Sequence, residues 1–246
     1  FFHSSVSNIY FKPSSKSEVS SQILYGEKFK ILAEKNKWIK IKTNYDNYIG
    51  YIKKNIFFNK FTPTHKIYKL KSRIFIKKNR KFTPTNNFLY FGSRISLKRK
   101  NKKLVEFEKN KWIKKIDIKR VDHNENNFSK VLKLFLNTKY LWGGKTSEGI
   151  DCSALIQMYF FYNGVFFPRD TKDQIRVCKK KLKKKLTKGD IIFWKGHVGV
   201  CLNKSDFIHA YGPRKKVIIM PLYFTIKNIY KTANLKVKKI SNIGKY

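Results

Sequence analysis

Three residues in the second half of the chain have the side-chain types that nucleophilic catalysis requires. Cys152 follows an aspartate, at the point where an apolar run with helical spacing begins. A thiolate is favoured at a helix N-terminus, because free backbone N–H groups and the helix dipole stabilise negative charge there. We therefore expect Cys152 to be a nucleophile whose thiol pKa is lowered.

Two histidines can supply the base and the group that orients it. His197 begins one apolar stretch, and His209 lies in the next, 12 residues later. If residues 198–202 and 207–210 pair as a hairpin, the two imidazoles lie near one another on neighbouring strands. His197 is then the general base, and His209 fixes its tautomer. Either histidine alone is compatible with a structural role, whereas the ordered set of three predicts a cysteine hydrolase.

The elements that must position these residues are predicted to be helices followed by strands. Apolar residues at 128, 131, 132, 135 and 136 share one helix face, with Asn127 or Ser129 as the N-cap. A second helix is predicted over residues 152–163, ending at Gly164. The apolar runs 191–194, 198–202 and 207–210 predict strands. Together they predict an α+β domain with antiparallel strands.

The first half of the chain is predicted to consist of strands. Short apolar runs separated by polar turns occupy residues 29–52, which predicts a small β-barrel. The segments around Gly26 and Trp38 recur around Gly92 and Trp112, so we expect two diverged copies of one barrel. We interpret both tryptophans as core residues. The predicted domains are residues 1–62, 63–122 and 123–246.

Composition indicates the kinds of partner that the surface favours. The 246 residues include 56 basic and 15 acidic ones, giving a formal net charge of +41. Such a field attracts anionic partners, and salt-sensitive non-specific binding is expected. Mutational bias in an AT-rich genome is the alternative cause, and we favour it because Lys, Asn, Ile and Phe are abundant together.

The three cysteines, Cys152, Cys178 and Cys201, indicate free thiols. Their number is odd and no CxxC pair exists, which predicts neither a disulfide framework nor a zinc site. Free thiols suit a reducing compartment. No apolar run reaches the ~18 residues of a transmembrane helix, so none is predicted.

Five motifs in the second half resemble the NlpC/P60 family of papain-like cysteine peptidases. They occupy residues 140–157 (YLWGGKTSEGIDCSALIQ), 168–174 (PRDTKDQ), 188–194 (KGDIIFW), 196–200 (GHVGV) and 208–210 (IHA). By this resemblance Cys152 is the nucleophile, His197 the base and His209 the orienting residue. Ala154 departs from the family pattern, which usually has Gly at that position.

The resemblance also implies residues around the nucleophile and the substrate. Tyr140 and the backbone N–H of Cys152 would stabilise the oxyanion, and Asp151 would support the nucleophile as a helix cap. Substrate contacts are implied for four further residues, with core packing as the alternative for the tryptophan: Trp142, Ser153, Arg169 and Asp170.

The first half resembles the SH3-like domain of dipeptidyl-peptidase VI-type enzymes at residues 20–27 and 50–52. In those enzymes an acid and a tyrosine bind the free amine of L-Ala-γ-D-Glu-diamino acid peptides. Glu18 and Tyr51 are the candidates here, with Glu27 as a substitute for Glu18. A surface acid and a core tyrosine are the alternative interpretations. The implied fold is two N-terminal SH3-like β-barrels followed by a papain-like NlpC/P60 domain.

The activity implied by both resemblances is hydrolysis of the γ-D-glutamyl–diamino acid bond of free murein peptides, without a metal or organic cofactor. The expected partner is a muropeptide, with peptidoglycan as a further candidate and no specific nucleic acid. One alternative is an endopeptidase acting on intact peptidoglycan through wall-tethering SH3-like domains. Another is a non-catalytic basic protein that binds wall polymer or nucleic acid. The missing secretion signal favours the cytoplasm, with the periplasm as the alternative.

Overall fold

The computed structural model describes residues 1–55, 57–182 and 185–245, and the chain divides into two compact units. The first unit contains Phe1–Asn124 with Tyr162–Gly164, and the second contains Glu125–Phe161 and Val165–Tyr246. The first unit is rich in strands, and the second places helices on an antiparallel sheet. The predicted α+β fold class is confirmed, while the domain limits at residues 62 and 122 stay predictions.

The first sheet is antiparallel and has the strand order β2-β1-β5-β4-β3. Its strands are β1 (Val6–Tyr10), β2 (Val19–Leu24), β3 (Phe29–Lys35), β4 (Trp38–Thr43) and β5 (Ile49–Lys53). Buried and half-buried residues alternate along β4, because successive side chains of a strand point to opposite faces. Ile39 and Ile41 on its buried face belong to the core of this sheet.

A second set of strands forms two further sheets in the first unit, with the orders β10-β11-β12-β7-β8 and β13-β6-β9. These strands are β6 (His65–Ile67), β7 (Lys71–Lys78), β8 (Lys81–Tyr90), β9 (Arg94–Ile95), β10 (Arg99–Lys100), β11 (Leu104–Glu108), β12 (Lys111–Lys114) and β13 (Ile118–Arg120). Ile67, Val105 and Ile113 belong to their shared core, together with Tyr25, which directly follows β2.

The internal repeat seen in the sequence has a structural counterpart in its turns. Gly26 and Gly92 both have a positive φ, 76° and 84°, which glycine adopts without a steric penalty. Asn36 and Asn110, two residues before the repeated tryptophans, are also left-handed, at 53° and 59°. Trp112 is buried as expected, whereas Trp38 is only half-buried and packs edge-to-face on Tyr10.

Among its described residues, the second unit contains four helices, a two-stranded β-ribbon and a five-stranded antiparallel sheet in the order β19-β18-β17-β16-β20. The helices are α1 (Phe128–Leu134), α2 (Cys152–Tyr162), α3 (Thr171–Val177) and α4 (Leu222–Ala233). The strands are β14 (Lys145–Thr146), β15 (Gly149–Ile150), β16 (Asp190–Trp194), β17 (His197–Cys201), β18 (Asp206–Tyr211), β19 (Lys216–Pro221) and β20 (Lys239–Asn242).

Local sequence explains where these helices begin and which surfaces they bury. Asn127 caps α1, its side chain accepting a hydrogen bond from the Lys130 backbone N–H. Helix α2 is apolar on all sides and almost entirely buried, as expected of a core helix. Helix α4 buries one face, including Leu222 and Ile229, against the sheet core. Within the described ranges, no helix has the length and apolarity that crossing a membrane requires.

Candidate active site

Cys152 is the first residue of α2, and the residue before it caps that helix. The Ala154 backbone N–H donates to Asp151 Oδ1 at 2.8 Å, and the Leu155 N–H donates to the Asp151 carbonyl at 3.0 Å. The first N–H groups of a helix have no acceptor within it. The predicted nucleophile therefore lies at the N-terminus of a helix, where backbone N–H groups lack acceptors within the helix, as the sequence predicted.

The sulfur of Cys152 lies against the beginning of β17. Its Sγ is 3.9 Å from the Gly196 carbonyl oxygen, and the Val198 backbone and the Thr171 side chain are near enough to favour its thiolate form. Gly196 and Val198 are the two neighbours of His197 in the chain, so the sulfur lies close to the backbone at the start of β17. Thr171 was not identified from the sequence, where nothing distinguishes it from other residues of its motif.

The predicted pair of histidines is brought together by the hairpin of β17 and β18. His197 Nε2 and His209 Nδ1 are 2.9 Å apart, and Val200 pairs with Ile208 in the strand register. Gly199 allows the strands to approach, because a Cβ there would lie 2.9 Å from the Cβ of His209. With Nε2 engaged by His209, Nδ1 is the nitrogen of His197 that can take the thiol proton.

His209 is completely buried, and neighbours on three sides fix its ring. Its Nε2 lies 3.4 Å from Met220 Sδ, and its ring stacks on Tyr211 with centroids 4.5 Å apart and an interplanar angle of 12°. Tyr211 is held in turn by the Asn228 side chain, whose Nδ2 donates to the phenol oxygen at 3.2 Å. Sequence reasoning missed Met220, because strand β19 carries no motif, and Tyr211, which ends β18 just beyond the recognised residues 208–210.

Burial sets the protonation state of the catalytic pair. Cys152 is only 4% exposed, and burial together with the nearby Asp151 carboxylate raises its thiol pKa to about 12. Burial also lowers the pKa of His197 to about 4. The expectation of a lowered thiol pKa is therefore wrong. Loss of hydration outweighs the donors of Val198 and Thr171, which favour the thiolate.

Tyr140 and Trp142 are the more accessible of the predicted residues that precede Cys152. Tyr140 is half-buried, and burial and the adjacent Cys152 raise its phenol pKa, so the hydroxyl remains a hydrogen-bond donor. This protonation state suits the predicted role in stabilising an oxyanion. Trp142 is 57% exposed, which excludes the alternative of core packing.

Asp151, Ser153 and Arg169 form a buried cluster. Arg169 is 2% exposed and binds Asp151 with both terminal nitrogens, at 3.0 and 2.6 Å. Ser153 Oγ donates to Asp151 Oδ1 at 3.1 Å and accepts from Arg169 at 2.9 Å. The Gly143 backbone N–H donates to the other carboxylate oxygen at 2.9 Å. These bonds give Ser153 and Arg169 a structural part in holding Asp151, while their predicted contacts with substrate stay predictions.

The remaining candidates of the second unit have different surroundings. Asp170 is half-buried at the start of α3, and burial raises the pKa of its carboxyl group. It directly precedes Thr171 in the chain, and its predicted contact with substrate stays a prediction. Cys178 and Cys201 are buried free thiols, and Cys201 lies in β17 as predicted. Across the described ranges, no three His, Cys, Asp or Glu side chains cluster closely enough to hold a metal ion.

The three candidates of the first unit lie on or near the first sheet. Glu18 is exposed just before β2, and Tyr51 is half-buried in β5 opposite Tyr10. Their predicted binding of a substrate amine stays a prediction. Glu27 is 4% exposed, and its carboxylate accepts a hydrogen bond from the Leu24 backbone N–H at 2.8 Å. This buried local bond gives Glu27 a structural role, and its part as a substitute for Glu18 stays a prediction.

A thiol at a helix start, close to the strand that carries one of two hydrogen-bonded imidazoles, is the arrangement expected of papain-like cysteine hydrolases. The family comparison agrees with this geometry: residues 137–235 match the NlpC/P60 family, and residues 9–55 match the bacterial dipeptidyl-peptidase Sh3 domain. The chain therefore carries an NlpC/P60 domain preceded by an SH3 domain of the dipeptidyl-peptidase type.

Curated relatives match about a third of the chain. "Probable endopeptidase NlpC homolog" of Haemophilus influenzae is 40% identical over 79 residues, which cover 31% of this chain and 43% of the relative. "Gamma-D-glutamyl-L-lysine dipeptidyl-peptidase" of Bacillus cereus is 34% identical over 98 residues, which cover 37% of this chain and 29% of the relative. The matched segments thus span less than half the length of these relatives.

The fold is shared over nearly the whole chain with a solved structure. The crystal structure of an NlpC/P60 family protein from Bacillus cereus superposes with a TM-score of 0.78, over 90% of this chain and 93% of that one. The sequence identity is 20%. This likeness establishes the architecture, with strand-rich N-terminal domains followed by the catalytic domain.

Proposed function

We propose that this chain is a cysteine peptidase that hydrolyses the γ-D-glutamyl–diamino acid bond of murein peptides, with free L-Ala-γ-D-Glu-diamino acid peptides as the preferred substrates. One observation carries the proposal. The sulfur of Cys152 lies 3.9 Å from the carbonyl oxygen of Gly196, the residue before His197, and His197 is hydrogen-bonded to His209 at 2.9 Å.

The first half of the reaction forms a thioester. Nδ1 of His197 takes the thiol proton as the sulfur of Cys152 attacks the γ-carbonyl carbon of D-glutamate. The carbonyl oxygen becomes an oxyanion, which receives hydrogen bonds from the Cys152 backbone N–H and the Tyr140 hydroxyl. The C–N bond then breaks, and the imidazolium of His197 gives its proton to the leaving amine of the diamino acid.

The second half returns the enzyme to its starting state. Water attacks the thioester carbonyl carbon while His197 takes one of its protons. The C–S bond then breaks, and that proton returns to the sulfur as the dipeptide L-Ala-D-Glu leaves. His209 accepts a hydrogen bond from Nε2–H of His197 throughout, so the imidazole keeps its orientation.

The preference for free peptides is supported by the SH3 domain of the dipeptidyl-peptidase type at residues 9–55 and by the similarity to a gamma-D-glutamyl-L-lysine dipeptidyl-peptidase. A cut in intact peptidoglycan is the second candidate, because the Haemophilus influenzae relative carries the name of an endopeptidase. The bond that is cut lies in a murein peptide in both cases.

The test compares the wild-type chain with Cys152→Ala on free L-Ala-γ-D-Glu-diaminopimelate and on purified sacculi. We expect the wild type to release L-Ala-D-Glu from the tripeptide and Cys152→Ala to release none, with Cys178→Ala as a matched thiol control that keeps activity. Faster cleavage of sacculi than of tripeptide would favour the endopeptidase. Equal tripeptide turnover by wild type and Cys152→Ala would exclude cysteine catalysis and favour a non-catalytic binding protein.

We propose the cytoplasm as the compartment, where free wall peptides are recycled. Support comes from three cysteines that are unpaired in the fold, which suits a reducing environment. Fractionation of cells that express the natural gene tests this assignment, and recovery of the protein with periplasmic markers would replace it.

A further inference from the structure

The two ring nitrogens of the buried His209 face groups of different hydrogen-bonding capacity. Nδ1 lies 2.9 Å from Nε2 of His197, a ring nitrogen that either donates or accepts. Nε2 lies 3.4 Å from the sulfur of Met220, and a thioether only accepts. Burial lowers the pKa of His209, so this ring is neutral and carries one N–H. The position of that proton decides the direction of the bond to His197.

In the first arrangement the proton of His209 is on Nε2 and points at the Met220 sulfur. Nδ1 of His209 then has a lone pair and accepts a hydrogen bond from Nε2–H of His197. Nδ1 of His197 is left with its lone pair, so His197 can act as a base toward Cys152. Every polar atom of His209 has a partner in this arrangement.

In the second arrangement the proton of His209 is on Nδ1 and is donated to Nε2 of His197. The lone pair on Nε2 of His209 then faces the lone pairs of the Met220 sulfur, and it is buried without a donor. The proton of His197 sits on Nδ1, so its imidazole has no site for the thiol proton. This arrangement is both less favourable and inactive.

We propose that Met220 is a positioning residue, which selects the catalytically active tautomer of His209, and through it of His197, by offering a sulfur that accepts and never donates. The inference rests on the proposed function for its kinetic consequence only. The tautomer itself is a property of the free protein and is measured without substrate.

The fold holds the His209 ring so that this selection is effective. Met220 is buried on β19, where its Cα pairs with Phe207 of β18 in the strand register. Tyr211 stacks on one face of the imidazole. The backbone at Gly199 lies so close to the His209 Cβ that a side chain at position 199 would not fit. These contacts oppose a ring flip that would exchange the two nitrogens, so the partner of Nε2 sets the position of the proton.

The direct test is the long-range ¹H–¹⁵N spectrum of histidine-labelled protein at pH 7.5, where the nitrogen shifts distinguish the two tautomers. The chain has five histidines, so His209 is assigned by comparison with His209→Asn. We expect wild-type His209 to be protonated on Nε2. Met220→Leu removes the acceptor with little change in volume and should give a mixture of tautomers. Selenomethionine keeps an acceptor at this position and should keep the wild-type tautomer.

The kinetic arm uses the two methionines of the chain as a matched pair. Met220→Leu should lower kcat for the tripeptide by about threefold to thirtyfold, the effect of losing one weak hydrogen bond. KM should stay unchanged, because Met220 acts through His209. Met158→Leu, in buried helix α2, is the control, and its kcat should stay within about twofold of the wild type.

Two results would overturn the inference. One is a wild-type spectrum with the His209 proton on Nδ1. The other is a folded Met220→Leu protein that keeps a single Nε2–H tautomer. Both are readable in a protein that hydrolyses no muropeptide at all, so failure of the proposed function and failure of this inference are separate outcomes.

Discussion

At the residue scale, the catalytic pair rests in its neutral form. Burial holds the thiol pKa of Cys152 at about 12 and the pKa of His197 at about 4, so neither group carries charge at neutral pH. Proton transfer from sulfur to imidazole must therefore accompany attack on the carbonyl. We expect Cys152 and His197 to react only when a bound substrate supplies the carbonyl carbon. The Tyr140 hydroxyl and the Cys152 backbone N–H then donate to the oxyanion that forms.

The two buried histidines make the free energy of unfolding depend on pH. The folded-state pKa values of His197 and His209 lie below the unfolded value of about 6.5, so below that pH the unfolded chain binds protons that the folded chain does not. Stability should fall from about pH 6.5 toward about pH 4, by about 1.4 kcal/mol per pH unit for each histidine. Above pH 7 this contribution is complete.

Urea unfolding between pH 7.5 and pH 4.5 measures this slope. His209→Asn removes one titrating group, so its unfolding free energy should depend less steeply on pH than that of the wild type. Met158→Leu, another buried substitution, should keep the wild-type slope. Identical slopes for wild type and His209→Asn would show that His209 takes up its proton in the folded state as readily as in the unfolded one.

The buried ion pair beneath the nucleophile is a second prediction at this scale. Arg169→Met leaves the Asp151 carboxylate buried without its bidentate partner, which should cost about 3–5 kcal/mol in unfolding free energy. The exposed pair of Arg176 and Asp173 on α3 provides a matched control, and Arg176→Met should cost less than about 1 kcal/mol.

Urea unfolding at pH 7.5 provides the comparison. The double variant Asp151→Asn with Arg169→Met should be more stable than Arg169→Met alone, because the unpaired charge is gone. Equal losses for Arg169→Met and Arg176→Met would contradict the structural role assigned to this cluster.

At the element scale, the close approach of β17 and β18 aligns the two imidazoles. A Cβ on Gly199 would lie 2.4 Å from the Phe207 ring and 2.9 Å from the His209 Cβ. Gly199→Ala should therefore push the strands apart, lowering stability by about 1–3 kcal/mol. Because a displacement of about 1 Å in a catalytic group costs about a hundredfold, kcat should fall by a similar factor.

The comparison for Gly199→Ala is Gly244→Ala, where the nearest atom to the new Cβ is the Asn242 side-chain oxygen at 3.5 Å. That variant should keep kcat and the urea midpoint. Retention of wild-type kcat by Gly199→Ala would show that the strand separation does not govern the imidazole geometry.

Local patterns explain which elements the sequence could predict. Helix α1 with its Asn127 cap and the hairpin of β17 and β18 were predicted because their signals lie within about twenty residues. The triad followed from the same local motifs. Met220 and Thr171 were missed because their contacts depend on strand order and helix packing. The direction of the Cys152 pKa was missed for a related reason, since the helix N-terminus is visible in the sequence and desolvation is not.

At the scale of the whole molecule, the charge of +41 acts on any ligand that carries carboxylates. The proposed substrate is an acidic peptide, so the field should raise its local concentration and its association rate. Mutational bias can be the origin of the lysines without removing this effect, because the field depends on the charges alone. Screening by salt separates association from chemistry, since the Debye length falls to about 8 Å at physiological ionic strength.

We therefore expect kcat/KM for the free tripeptide to fall about tenfold between about 20 mM and 300 mM NaCl. The value of kcat should change little, because the neutral pair of Cys152 and His197 carries no charge to screen. A tripeptide whose carboxylates outside the scissile bond are amidated is the matched control and should show almost no salt dependence. If kcat/KM is constant for the acidic tripeptide, or falls equally for both substrates, the positive surface plays no part in capturing the substrate.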